Sequence, residues 1–324
     1  MESGRLPPRS HSMSPAQGKP IQGTRAACFA SFPGPGTPSR PPPAWYYVHL
    51  HMKVTENVNT PVPFLKWAGG KRWLVNDHAS LLDVQFDRFL EPFLGSGAVF
   101  FKLAPARAIL SDRNAQLILT YKAIRDDWRK VHDHLKRHHR NHDEDYYYTM
   151  RDQRPRSAAG KAAQLIYLNR TCWNGLYRVN LDGTFNVPIG TQSNVVLDSD
   201  SFEQVASLLA KVKLSACDFQ QTLAKAKRGD FVFVDPPYTV RHNNNNFIKY
   251  NEGLFSWDDQ VRLRDSVQAA HERGAKLLVT NAYHRCIKIL YRGIGVHHKL
   301  TRSSVIAGCS NSRGRYEEMI IKCY

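Results

Sequence analysis

The residues most able to do chemistry stand at Asp235-Pro236-Pro237-Tyr238, directly after the apolar run Phe231 to Val234. A buried strand there would deliver an acid and a tyrosine to the carboxyl edge of a sheet, with two prolines stiffening the backbone between them. An amino group conjugated to an aromatic ring is a poor nucleophile, because its lone pair is delocalised. A carboxylate and a backbone carbonyl accepting its two hydrogens, with an aromatic face stacked on the ring, would hold the nitrogen in line with an electrophile. A Pro-Pro turn after a strand is also ordinary structural punctuation; the acid and the tyrosine at this one place favour the chemical reading.

A second cluster is Glu91-Pro-Phe-Leu-Gly-Ser-Gly97, at the end of another apolar run. Two glycines after a strand let the backbone approach a ligand closely, and an acid at the strand end can bind the ligand's polar groups. The dinucleotide fingerprint is incomplete, since Phe100 stands where its third glycine would be. Asp112 closes the next apolar run, where an acid meets ribose hydroxyls. A neutral or cationic nucleoside is therefore favoured over a pyrophosphate, against the plain alternative of a capping Asp and turn glycines.

The elements that must position these groups alternate. Strands are expected at 86–91, 107–111, 212–216, 230–235, 275–280, 294–300 and 316–322, and helices near 97–104, 114–138, 158–171, 199–210, 218–227 and 257–273. Nearly all-apolar strands separated by helices predict an α/β fold, a doubly wound and mostly parallel sheet covered on both faces. Ligands in such sheets bind beyond the carboxyl ends of the strands. Residues 115–196 break the rhythm and read as an inserted basic helical subdomain between core segments 52–114 and 197–324. Its histidines include His134 and His138 at i,i+4, yet no cysteine or carboxylate completes a metal site, and a solvated basic helix explains the run. No metal is expected.

The 324 residues carry 45 Lys and Arg against 28 Asp and Glu, a net charge of +17. Residues 1–51 hold only five of the basic residues and one acid, so the excess lies on the body. Such a charge favours polyanionic partners, nucleic acid or an anionic membrane surface. No apolar run approaches the ~18 residues of a spanning helix. The six cysteines form no CxxC pair, which fits reduced thiols in a cytosol. Ten of the 18 prolines fall in the first fifty residues, so 1–51 read as a disordered Pro-rich tail, with Met52 as the expected start of the functional protein.

These motifs, in this order, resemble the alpha class of amino-group-specific DNA adenine methyltransferases, and within it the Dam-type GATC methylases. The likeness spans 63–324 and includes Phe64-Leu-Lys-Trp-Ala-Gly-Gly-Lys71, Leu168-Asn-Arg-Thr-Cys-Trp-Asn-Gly-Leu-Tyr-Arg-Val-Asn180 and Phe185-Asn-Val-Pro-Ile-Gly190. The resemblance implies a cytoplasmic enzyme of bacterial or phage type, acting on double-stranded DNA with S-adenosylmethionine as cofactor and no obligatory protein partner. It implies cofactor contacts at Trp67, Lys71, Glu91, Phe93, Gly95, Gly97, Asp112, Asp218, Phe219 and Asp235. Asp235, Pro236, Pro237 and Tyr238 would hold a flipped adenine while its N6 attacks the methyl group directly. Lys66, Trp173, Asn174, Leu176, Arg178 and Pro188 would contact or wedge into the DNA.

Departures from the family pattern are Trp173 where a tyrosine is familiar, the asparagine run in Arg241-His-Asn-Asn-Asn-Asn246, expected as a mobile loop, and the tail 1–51. Two other readings compete. Methylation of cytosine N4, RNA or protein amides is opposed by Asp rather than Ser or Asn at 235; an inactive DNA-binding regulator is opposed by intact Lys71, Asp112, Asp235 and Tyr238.

Overall fold

A computed structural model describes residues 60–180, 184–240, 255–303 and 315–324; the tail 1–51 and the asparagine run lie outside them. Among the described residues seven strands form one sheet: β1 Arg88–Glu91, β2 Ala108–Asp112, β3 Val212–Ala216, β4 Asp230–Val234, β5 Lys276–Ala282, β6 Val296–Ser303 and β7 Arg315–Cys323. Their order is β3-β2-β1-β4-β5-β7-β6. The first five are parallel, and β7 runs antiparallel between β5 and β6.

Side chains alternate across a strand, and here that period sorts them into two cores. Phe89, Leu110, Phe231, Phe233, Leu278 and Ile320 face one cluster. Leu90, Ile109, Val232, Val234, Leu277, Val279 and Ile321 face the other. Helices α1 Arg72–Asp77, α2 Ala98–Leu103, α3 Ala115–Arg140, α4 Glu144–Asp152, α5 Ala158–Thr171 and α6 Phe202–Leu209 contribute to the first. Helices α7 Phe219–Leu223, α8 Trp257–Glu272 and α9 Arg285–Leu290 cover the second.

Several helix starts are written in the sequence. Asn114 caps α3 by accepting from Leu117 N at 3.0 Å, and Ser256 and Asp259 form a capping box on α8. Helix α5 is buried from Ala162 through Thr171 on every side, its polar Gln164, Asn169 and Arg170 each hydrogen-bonded within the fold. It packs against α3, which kinks at Asp127. At the end of α5 the guanidinium of Arg170 meets the Asp200 carboxylate at 2.7 and 2.5 Å and also donates to the carbonyls of Val195 and Phe64. This buried fork fixes the segment before Lys71 onto α5, its desolvation cost offset by four satisfied contacts.

The strand order reverses between β1 and β4: from β1 the chain builds outward through β2 and β3, then returns to place β4 on the other side. That reversal opens a crevice beyond the carboxyl ends of β1 and β4, next to Glu91 and Asp235. Arg88 grips Asp230 through two hydrogen bonds, 3.0 and 2.6 Å, at the opposite ends of the same strands. Two expectations shift. Phe86 packs on Phe89 and Phe231 instead of pairing in β1, and the helix expected at 218–227 shortens to the five residues of α7.

Candidate active site

Glu91, the last residue of β1, is 2% exposed. Its Oε2 has no hydrogen-bond partner among the described residues. Burial first, and then the Asp235 and Asp112 charges, push its carboxyl well above the usual range. Asp112, closing β2, accepts from Gly95 N at 3.0 Å and from Asn114 N at 2.9 Å. Burial raises its pKa, and these amides oppose that shift. Gly95 adopts φ 47°, and a Cβ there would lie 2.9 Å from the Trp67 ring, so glycine lets Trp67 close over the loop. Trp67 in turn stacks on Tyr177, ring centres 5.0 Å apart. Gly97 begins α2, also left-handed.

Beside this loop, Phe93 stacks on Phe219 at 5.5 Å and meets Phe255 edge-on. Asp218 caps α7 by accepting from Gln220 N and pairs with Arg262 at 3.0 Å. The Arg262 guanidinium also lies over the Phe219 ring. Both residues therefore stand at the same sheet edge, with the Asp218 carboxylate already engaged by an arginine.

Beyond β4, Lys71 is 4% exposed and its ammonium lies 2.8 Å from Asp235 Oδ1 and 3.8 Å from Glu318 Oε2. It donates to Gly69 O at 2.7 Å and sits 5.0 Å from the centre of the Tyr238 ring. Thr280 on β5 donates to the same Asp235 Oδ1 at 2.5 Å. Both contacts fall on one oxygen, Oδ1. Burial raises the Asp235 pKa while Lys71 and Thr280 pull it back, so the lysine favours the carboxylate form. Tyr238 donates its hydroxyl to Glu318 Oε2 at 2.6 Å. Burial and the two neighbouring carboxylates push the phenol well above its ordinary value, which keeps it a donor. Arg302 on β6 donates to the other Glu318 oxygen at 2.5 Å. Thr280 and Glu318 are members of this cluster that the sequence reading missed.

The expected DNA-side residues lie on a second, outward surface. Asn169, fully buried in the last turn of α5, accepts from Lys66 N and donates to Lys66 O and Gly175 O, tying two segments together. Gly175 has φ 65°, and a Cβ there would lie 2.5 Å from Lys66 Cδ; the tie requires glycine. Asn174 beside it is also left-handed, φ 55°, a conformation asparagine tolerates. Isolated bridges pair Cys172 with Ile189 and Val179 with Phe185, and Trp173 N donates to Pro188 O. Trp173 is 51% exposed. Leu176 and Arg178 are exposed while Tyr177 between them turns inward onto Trp67, the alternation of an extended segment. Asn186 accepts from Arg178 Nε at 2.9 Å and orients the guanidinium. Pro188 and Lys66 are exposed as well. Asn169, quoted in the motif without a role, is the brace beneath this surface.

Among the described residues no group of three His, Cys, Asp or Glu could hold a metal ion. His138 is core: its ring stacks on Tyr167 at 4.8 Å and its Nδ1 meets the Tyr146 hydroxyl at 2.8 Å. The crevice gathers four acids, Glu91, Asp112, Asp235 and Glu318, against Lys71 and Arg302. Such a surplus of buried carboxylate, one oxygen of it orphaned, suits a cationic ligand. No helix among the described residues is long and apolar enough to cross a membrane.

Comparison with known proteins agrees with this geometry. Residues 67–305 match the D12 class N6 adenine-specific DNA methyltransferase family. The chain is 35% identical over 271 residues to the type II methyltransferase M1.LlaDCHI of Lactococcus lactis subsp. cremoris, covering 81% of this chain and 95% of that one. It is 33% identical over 283 residues to the type II methyltransferase M.MjaIII of Methanocaldococcus jannaschii, covering 80% and 98%. With the DNA adenine methylase of Escherichia coli (strain K12) it shares 28% identity over 262 residues, covering 79% and 93%. By the family match over residues 67–305 and these relatives, the chain belongs to the D12 class of N6 adenine-specific DNA methyltransferases.

Proposed function

We propose that the chain methylates adenine within GATC in duplex DNA, with residues 115–196 reading the sequence and segments 52–114 and 197–324 forming the catalytic core. The observation that carries the chemistry is Asp235, its Oδ1 held by Lys71 and Thr280, which makes Oδ2 the proposed acceptor for the substrate. S-adenosylmethionine supplies an electrophilic methyl group on a sulfonium. Trp67, Phe93, Gly95, Gly97, Asp218 and Phe219 would hold it, with Glu91 and Asp112 offering carboxylates to its positive charge and hydroxyls.

Adenine cannot reach this crevice from within a stacked duplex, so it must be extruded. Trp173, exposed on a braced loop, fills the space that a flipped base leaves. Asp235 Oδ2 and the Pro236 carbonyl accept the two N6 hydrogens, which directs the nitrogen lone pair toward the electrophile. Pro236 and Pro237 keep that acceptor pair rigid. Tyr238 stacks the purine. After transfer, the surplus N6 proton passes to Asp235 Oδ2 and on to solvent.

Specificity is supported by the outward surface. Arginine's planar fork matches guanine O6 and N7 in the major groove, and apolar side chains such as Leu or Pro fit the thymine methyl. Arg178 is assigned to an outer guanine, Leu176 with Pro188 to the thymine, and Lys66 to the guanine of the other half; Asn174 contacts the DNA beside Trp173. A bidentate contact contributes about 1–3 kcal/mol of discrimination. Methylation kinetics on a GATC duplex and on singly substituted duplexes test the assignment. The wild type should prefer GATC, and Arg178→Ala should relax selectivity at one outer base pair. Equal rates on all duplexes, or an unchanged preference in the variant, would refute it.

A further inference from the structure

A tyrosine ring that stacks a purine must be held in its plane, and a buried phenol needs a partner for its hydroxyl. Tyr238 meets both demands through one acceptor, Glu318 Oε2 at 2.6 Å. Thr280 borders the same hydroxyl. Glu318 is itself held on several sides. It lies on β7, inside the sheet, opposite Ala282 of β5 and Leu300 of β6, and it is 2% exposed. Arg302 holds its second oxygen at 2.5 Å. A buried carboxylate is costly, and an apolar residue at such a strand position is the cheaper structural solution. A glutamate nonetheless stands there, with one oxygen held by Arg302 and the other by Tyr238.

We infer that Glu318 is a positioning residue for methyl transfer: through its hydrogen bond it fixes the Tyr238 ring in the plane where the target base stacks. This rests on the reading that Tyr238 stacks the adenine. Glu318 would touch neither substrate nor cofactor, and its effect reaches the reacting nitrogen through Tyr238. Lys71, within 3.8 Å of Glu318 and 2.8 Å of Asp235, links the tether to the acceptor of the amino group.

The test compares wild type, Tyr238→Phe, Glu318→Gln, Glu318→Ala and the double variant Tyr238→Phe/Glu318→Ala, by single-turnover methylation of a GATC duplex. Cofactor affinity, DNA affinity and melting temperature are measured alongside. Tyr238→Phe keeps the ring and loses the tether, so transfer should slow roughly ten- to hundredfold while both affinities stay near wild type. Glu318→Gln keeps an acceptor oxygen and should restore most of the rate lost in Glu318→Ala. The double variant should be no slower than the slower single one. Tyr238→Phe reacting at the wild-type rate would overturn the inference, as would losses that multiply in the double variant, or a Gln variant as slow as the Ala variant. If Glu318→Ala does not fold, Tyr238→Phe and Glu318→Gln, read against wild type, still decide. A wild-type protein that makes no N6-methyladenine would instead overturn the underlying reading.

Discussion

Asp235 concentrates the account at the scale of single residues, because one of its oxygens is spent on holding position and the other is the proposed acceptor for the substrate. Asp235→Ala should raise the transfer barrier by about 3 kcal/mol or more, comparable to losing one preorganised charge-stabilising contact. Its melting temperature should change little, since Lys71 keeps Gly69 O and Glu318 as neighbours; rapid-quench methylation alongside a thermal melt checks both. Glu91 gives a pH prediction. Its folded pKa lies well above the ordinary 4.5, first through burial. A raised acid contributes its full stability below the unfolded pKa and loses it as pH climbs from there through the folded pKa. Without cofactor, Glu91→Gln should therefore gain melting temperature relative to wild type as pH rises from 4.5 to 8. A difference constant across that range would show that Glu91 ionises as in water.

At the scale of elements, α3 and α5 show how a histidine can be structural. Burial holds the His138 pKa down at about 4 from the usual 6.5. The ring is thus neutral in the fold, and a depressed His pKa contributes stability that is present above 6.5 and lost as pH falls through 4. The loss is on the order of 3 kcal/mol. Denaturant titrations at pH 7 and 4 should show that loss in wild type and much less of it in His138→Phe, which keeps the stack on Tyr167. Much of this architecture was legible in the chain. The run Phe231 to Val234 is both the most buried strand and the reason Asp235 stands at its end, and α3 and α5 lie close to the expected 114–138 and 158–171. The short α1 and α9 were not legible, because six residues are too few for a helical period to emerge without a glycine turn at a strand end such as the one that marks α2. The tyrosine-rich α4 was missed as well. Glu318 and Thr280 were invisible for a different reason: they reach Tyr238 and Asp235 across 80 and 45 positions. Only the strand order brings β5 and β7 to the β4 edge.

At the scale of the whole molecule, the net charge of +17 couples the chain to the phosphates of DNA whatever their sequence. Affinity for non-target duplex should fall steeply with salt, as condensed counterions are released. The proposed GATC preference, carried by base contacts, should persist. A chain starting at Met52 loses five of the 45 basic residues, so it should methylate GATC like the full chain and bind non-target DNA slightly more weakly at low salt. Loss of solubility or activity in that shorter chain would show that residues 1–51 belong to the catalytic unit. The central claim is that Asp235 and Tyr238 present adenine N6 for methylation. It is tested most directly by nucleoside mass spectrometry of duplex DNA incubated with the full chain and isotopically labelled S-adenosylmethionine. The expected result is label in N6-methyladenine alone, abolished in Asp235→Ala. Label in N4-methylcytosine, label only when RNA is the substrate, or no transfer by a folded wild-type protein would contradict it.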